Sequence, residues 1–297
     1  MRFAFISVLA MMFLACNSNQ EKKTAVIEVT NILVDESFEP IIDDQYLVFE
    51  NSYPQHKVKL IYEPEVKLVN ELLSGKVSLG IMSRKLSSSE QEGFEKKKIQ
   101  ILNYPIATDA IAFITHRSSK DSTITIDEIN DVMRGSATGK SLVFDNPNSS
   151  TVRYLKELSK VKDLPSKGVY ALKASEDVIK YVYNNPGTIG VIGYNWMKQP
   201  TIELEPLVKQ LKNLAVKNST ELKGDGKYYK PSQDNLALGL YPLSRKLYYI
   251  DCTGGTGISS FAAFIRSERG QRLILKSGLL PVAIPPREII IRKTITK

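Results

Sequence analysis

The residues whose types and spacing offer most chemistry lie at positions 146–155, NPNSSTVRYL, directly after a short apolar run at 142–144. Ser149, Ser150 and Thr151 crowd the start of a predicted helix whose apolar stripe is Val152, Leu155 and Leu158. Hydroxyls beside unpaired N-terminal amides, at the positive end of a helix dipole, make a cradle for an anion. Ser and Thr also start helices as plain N-caps, so this stretch alone does not separate the two roles. A similar hydroxyl-bearing strand end recurs at Ser83-Arg84, after the predicted strand 77–82. Arg84 could contact a ligand or serve as a salt-bridge partner. Asp109 could orient Arg84 or cap the strand that carries it, and Arg153, inside the helix, reads as part of a solvated face.

Other constellations point elsewhere. The run TGGTG at 253–257 precedes a helix but lacks the Lys-Ser/Thr ending of a nucleotide P-loop, so it reads as a helix-entry turn. His56 and His116 are the only histidines, and neither has another ligand type at metal spacing. With no Gly-x-Ser-x-Gly elbow, nucleophilic hydrolysis is not expected either. The expectation is a binding protein, not an enzyme, with no metal and no cofactor.

Composition sets the frame for these residues. The 297-residue chain is 42% hydrophobic and 24% charged, enough for a sizeable core and about two domains. Its formal net charge of +8 suits an acidic partner, but there is no arginine-rich arm and the lysines are scattered, so no nucleic acid is expected. Residues 1–15 read as a signal peptide, with Arg2, an apolar run at 3–13 and the closing Phe13-Leu14-Ala15-Cys16. That tetrapeptide resembles the bacterial lipoprotein signal, which makes Cys16 the lipidated first residue and 16–25 a polar tether. Cys252 then has no intrachain partner and reads as a small buried hydrophobe.

Along the chain the pattern alternates. Strands are expected at 26–30, 58–62, 77–82 and 99–104, the last ended by Pro105, with helices between them. A long apolar strand follows at 108–115. A second alternating unit has strands at 142–144, 169–172 and 188–193, and Thr125 with Glu128 caps its first helix. Then 236–250 reads as another long extended stretch, broken at Pro242, and 288–292 as a last strand. Alternation of this kind implies an α/β fold with mostly parallel sheets flanked by helices. Two long extended runs bracketing the second unit suggest a discontinuous first domain, joined to the second by two crossing strands and closing on a ligand by a hinge.

The collinear order SFEP, LGIMSRKLSSSE, ATDAIAFIT, NSSTVRYL, NNPGTIGVIGY, YPLSRKLYYI and FIRSERGQRLILKSGLLPV resembles the periplasmic phosphate-binding proteins of ABC transporters, over roughly residues 26–282. The resemblance implies the class II periplasmic-binding-protein fold, two α/β lobes joined by two crossing strands. The expected boundaries are 26–112 and 243–297 for lobe 1 and 113–242 for lobe 2. It places Ser37 and Phe38 at the family's hydroxyl-aromatic pair, Ser83 at its serine after the third strand, and Ser149, Ser150 and Thr151 at its Ser-Gly-Thr helix start, with Ser150 in place of glycine. It implies a monomer that captures inorganic phosphate or a related oxyanion, hands it to an ABC permease, and sits on the periplasmic side of a membrane through a lipid on Cys16. An envelope lipoprotein that keeps the fold as a sensor or scaffold is the other reading.

Three departures accompany the resemblance. Tyr62-Glu63-Pro64-Glu65 stands where the family often carries a Gly/Ser-rich loop, and two glutamates there would repel an anion if they face the cleft. Arg84 stands where some members have an aspartate, and an arginine cannot accept the proton of a monoprotonated phosphate. No arginine closely precedes Ser149, where Asp145 and Asn146 stand.

Overall fold

The computed structural model describes residues 29–218, 225–255 and 257–283. The expected signal peptide, Cys16, the tether and the strand at 288–292 lie outside the described residues. The chain opens with β1 (Val29–Asp35), a 3-10 turn (Glu36–Phe38), α1 (Glu39–Ser52), β2 (Lys57–Glu63), α2 (Glu65–Ser74), β3 (Leu79–Met82) and α3 (Ser88–Lys96). β4 (Leu102–His116) leads into β5 (Thr123–Thr125), α4 (Ile126–Met133), β6 (Leu142–Phe144), α5 (Ser150–Ser159), β7 (Val169–Ala171), α6 (Ser175–Asn184) and β8 (Ile189–Gly193). Next come α7 (Asn195–Lys198), α8 (Glu205–Val208), β9 (Leu211–Asn213), β10 (Ala215–Lys217), β11 (Tyr228–Tyr229) and α9 (Gln233–Ala237). β12 (Ser244–Asp251) returns to the first half, where α10 (Ser260–Arg266), α11 (Glu268–Lys276) and β13 (Leu280–Pro281) follow.

The main strand order is β2-β1-β3-β12-β4-β8-β6-β7, with β9 and β13 also paired to β4, and β11-β10-β5 forms a small separate sheet. Neighbours at the two ends of the main order are parallel, as alternation with helices requires. β12 and β4 are antiparallel to each other and to their outer neighbours β3 and β8. The apolar cores segregate accordingly. Phe113, Phe144, Trp196 and Tyr241 pack in one lobe, whereas Phe38, Phe49, Tyr249 and Phe261 pack in the other. Leu33, Leu68, Met82 and Cys252 fill the opposite face of the first-lobe sheet, and Cys252 is buried as expected. The molecule is thus a two-lobed α/β fold with β4 and β12 crossing between the lobes.

Local signals account for most element ends. Ser87 with Glu90 and Thr125 with Glu128 form full capping boxes at α3 and α4. Gly75 closes α2 at φ 75°, a left-handed conformation that costs glycine little. Three expectations shift. β1 runs on to Asp35, because Ile32, Leu33 and Val34 form an unbroken buried run in a strand covered on both faces. Pro105 does not end a strand: it lies within β4 at the point where the pairing with β12 slips a residue, so its missing N–H falls at a bulge. The stretch 236–250 is not extended throughout; Ser232 caps α9, its side chain accepting from Asn235 N, and the crossing strand begins only at Ser244.

Candidate functional site

β1 delivers the first group. Asp35 ends the strand, and its carboxylate accepts a hydrogen bond from the Ser37 amide at 3.0 Å, which fixes the tight turn that brings Ser37 and Phe38 inward. Ser37 and Phe38 are fully buried, as is Asp35. From the other lobe, α5 brings Ser149, Ser150 and Thr151, also buried. Their roles divide: Ser149 is the N-cap, its side chain accepting from the Val152 amide at 3.2 Å, so it serves the helix. Ser150 Oγ instead reaches across the cleft to within 3.3 Å of Ser37 Oγ, and Thr151 Oγ1 is buried with no partner.

Arg245 on β12 joins the two groups. Its guanidinium donates to Ser150 Oγ from Nη1 at 2.9 Å and to Asp109 Oδ2 from Nε at 3.1 Å, and it stacks on the Phe38 ring at 4.6 Å. Arg245 and Asp109 face each other as register partners across β12 and β4. Asp109 therefore orients Arg245, not Arg84. The arginine missing before Ser149 in sequence is supplied in space from the second crossing strand. Sequence reading passed over Arg245; the signal was an arginine in one extended run opposite an aspartate in the other, and it needed the strand register to be visible.

Lobe contact is completed by α7. Asn195 Nδ2 and Trp196 Nε1 both donate to the Ser37 carbonyl, at 2.9 and 3.1 Å. The two side chains thus hold the turn after β1, and Trp196 packs with the core of its own lobe.

A second cluster lies beside the first. Glu65, the first residue of α2, is 1% exposed, and its carboxylate accepts from Ser83 Oγ at 3.3 Å and Arg84 Nε at 2.9 Å. It also accepts from Arg153 Nε at 2.5 Å and Arg153 Nη2 at 3.2 Å. Arg153 thus belongs to the cleft, contrary to the solvated face expected of it, because Glu65 faces it from the opposite lobe. Arg84 makes a second, bidentate pair with Glu90. Glu63 lies outside this cluster, paired to Lys67.

Charge in the cleft is mixed. Burial raises the Asp35 carboxyl to about 6, and the nearby Glu65 charge pushes the same way, while Arg245 and Ser150 pull it back. Burial and then the Asp145 charge raise Glu36 to about 8. Burial also raises Asp109 and Asp145. Asp35 Oδ2 is buried without a hydrogen-bond partner. Ser37, Ser150 and Arg245 offer hydrogen-bond donors to an oxyanion, and Asp35 offers an acceptor to a protonated one. Beside Ser149 and Arg153 a cavity of about 540 Å³ opens between Val66 of one lobe and Asn148 and Val152 of the other. Among the described residues no cluster of His, Cys, Asp and Glu could hold a metal ion, and no helix is long and apolar enough to cross a membrane.

Known proteins match this architecture. A protein named phosphate-binding protein PstS from Pseudomonas aeruginosa is 23% identical over 274 residues, 82% of this chain and 80% of that one. Among solved structures, a putative phosphate ABC transporter substrate-binding protein with bound phosphate, from Clostridium perfringens, superimposes with a TM-score of 0.70 at 21% identity. It covers 86% of this chain and all of that one. An ABC-type phosphate transport receptor from Vibrio cholerae gives a TM-score of 0.63 at 18% identity, with 86% and 100% covered. The family described as the PBP superfamily domain matches residues 19–269, and the chain belongs to that family.

Proposed function

We propose that this chain captures inorganic phosphate between its two lobes and delivers it to an ABC permease. The observation that carries this reading is the buried Arg245, held by Asp109 and bonded to Ser150 Oγ, at the point where Ser37 and Ser150 approach from opposite lobes. A guanidinium, two hydroxyls and the free amides at the start of α5 suit a tetrahedral oxyanion. Asp35 answers the difficulty left by Arg84. With its carboxyl near 6 it is mostly ionised at neutral pH, and Oδ2 accepts the proton of a phosphate hydroxyl. Sulfate has no such proton, so the buried carboxylate disfavours it. The relatives that match the chain carry phosphate-binding names, in keeping with this ligand.

In this reading Ser37, Phe38, Ser83, Arg84, Ser150 and Thr151 are ligand-site residues, joined by Arg245 and Asp35, and Ser149 shapes the helix start. The hinge lies where β4 and β12 cross, with lobe 1 at 26–112 and 243–297 and lobe 2 at 113–242. The protein acts as a monomer without catalysis or cofactor, tethered outside the cytoplasm by a lipid on Cys16. Calorimetric titration with phosphate, sulfate and methylphosphonate tests the ligand. Phosphate bound at micromolar or lower concentration, with sulfate much weaker, supports capture. Folded, anion-free protein that binds none of the three leaves the fold as a sensor or scaffold.

A further inference from the structure

We propose that Glu65 is a tethered carboxylate lodged in an oxyanion point of the cleft, and that a captured anion must displace it. The cradle is Ser83 and Arg84 from one lobe and Arg153 from the other, which together donate four hydrogen bonds to the two carboxylate oxygens. Ser83 is tied further into this arrangement, accepting from Arg153 Nη2 at 3.2 Å. A buried hydroxyl and two guanidinium groups converging from two lobes are the donors an oxyanion would use, and Glu65 already fills them. Its backbone is placed for this: Pro64 caps α2 in an extended conformation, and the neighbouring Val66 amide donates across the cleft to the Asn148 carbonyl at 3.3 Å.

The consequence concerns affinity and selectivity. A carboxylate on a short tether competes at an effective concentration of order millimolar, so a free monoanion of like affinity does not displace it at concentrations well below that. An anion bearing more charge and more acceptor oxygens, such as the phosphate dianion, can. Glu65 thereby closes the lobes without ligand and sets a threshold for what opens its place. The ligand part of this inference rests on the phosphate reading above, whereas the tethered contact does not.

Trp196, the only tryptophan, reports the lobe contact directly, because its indole donates across the cleft to the Ser37 carbonyl. In the full-length chain, stripped of anions, Glu65→Ala and Glu65→Gln are expected to shift Trp196 emission to the red and raise its quenching by acrylamide. Acetate should reverse both changes in Glu65→Ala and leave the wild type unaffected. Phosphate should bind both variants about tenfold more tightly or better, once the tethered competitor is gone. Weaker phosphate binding by the variants would show that Glu65 supports the liganded cleft and would overturn the proposal. So would unchanged emission and quenching with no response to acetate. Should phosphate bind neither wild type nor variants while acetate still closes Glu65→Ala, the phosphate reading falls and the tethered carboxylate stands. Glu65→Asp, which keeps the charge but withdraws the oxygens, carries the same readouts if the larger changes impair folding.

Discussion

Arg245 and Asp109 sit opposite each other on the two strands that cross between the lobes, with Nη2 of one 3.1 Å from Oδ2 of the other, and both are almost fully buried. Both residues lie on the strands that join the lobes, close to the boundaries expected at 112 and 243. Arg245 stacks on Phe38 and donates to Ser150 Oγ, so it sits between the groups that the two lobes bring together.

The pair gives the first prediction. Arg245→Met leaves Asp109 buried without its partner, so unfolding should become easier by roughly 3–5 kcal/mol and phosphate binding should vanish. Adding Asp109→Leu replaces the whole pair by apolar groups and should recover most of the stability. Binding should stay lost. Chemical denaturation and calorimetry on the single and double variants check both halves, and recovery of binding in the double variant would remove Arg245 from the site.

Asp35 gives a prediction in pH. Its carboxyl is raised from 3.8 to about 6 in the folded chain, so the native state holds a proton that the unfolded state has released between those values. Stability from this group is therefore highest at low pH and falls as pH climbs through about 6; Glu36, raised to about 8, extends the decline upward. Asp35→Asn should raise the melting temperature at pH 8, by an amount corresponding to at most about 3 kcal/mol, and change little at pH 4. The asparagine carbonyl still accepts from the Ser37 amide, but its NH2 cannot accept a phosphate proton. Phosphate should bind the variant more weakly and sulfate more strongly than the wild type.

Ser150 tests the helix start. Its hydroxyl joins Arg245 to Ser37, so Ser150→Ala removes one hydrogen-bonding group that both lobes share. Loss of about 1–1.5 kcal/mol of binding energy, close to a tenfold weaker phosphate affinity, is the expected result. Ser150→Trp should abolish binding by filling the cleft while leaving the helix in place. Ser149→Ala should act differently: it removes the N-cap, lowering stability by about 1 kcal/mol with a smaller effect on affinity.

How far these residues were legible in sequence follows from the range of the forces involved. Ser149–Thr151 and the Thr125 cap were readable because a helix start is settled within a few residues. The alternation of elements gave the α/β class for the same reason. Arg245 was not readable, because its partner Asp109 lies 136 residues away and only strand register brings them together. The pairing of Arg153 with Glu65, 88 residues apart, was hidden likewise: Arg153 looks like a solvated helix residue until Glu65 faces it from the other lobe. The turn at Asp35 was hidden because the strand expected at 26–30 runs on, covered on both faces, to Asp35. Glu65 was noticed as a charge out of place, but its role needed the cradle.

Gly193 supplies the last prediction. It ends β8 just before Asn195, and a methyl group there would lie 2.7 Å from Asn195 Nδ2, 3.1 Å from the Ser37 carbonyl and 3.3 Å from Arg245 Nη2. The Asn195 amide is a side-chain end and can move, but the Ser37 carbonyl is backbone held by the Asp35 turn, and Arg245 is fixed by Asp109. The cheaper relief is for the lobes to stay slightly apart, which breaks the Asn195 and Trp196 bonds to Ser37. Gly193→Ala should therefore red-shift Trp196 emission and weaken phosphate binding at least tenfold. Its fold should hold, since the strand pairing of β8 with β4 and β6 is untouched. Gly190→Ala, on the same strand, is the control. There the methyl meets Val178 and Val182 at 2.7 Å inside the lobe core, so it should cost about 1–3 kcal/mol of stability by overpacking. Its Trp196 emission should remain that of the closed wild type. Equal effects of the two substitutions on emission and affinity would mean that Gly193 is a packing residue and that closure does not depend on the Ser37 carbonyl.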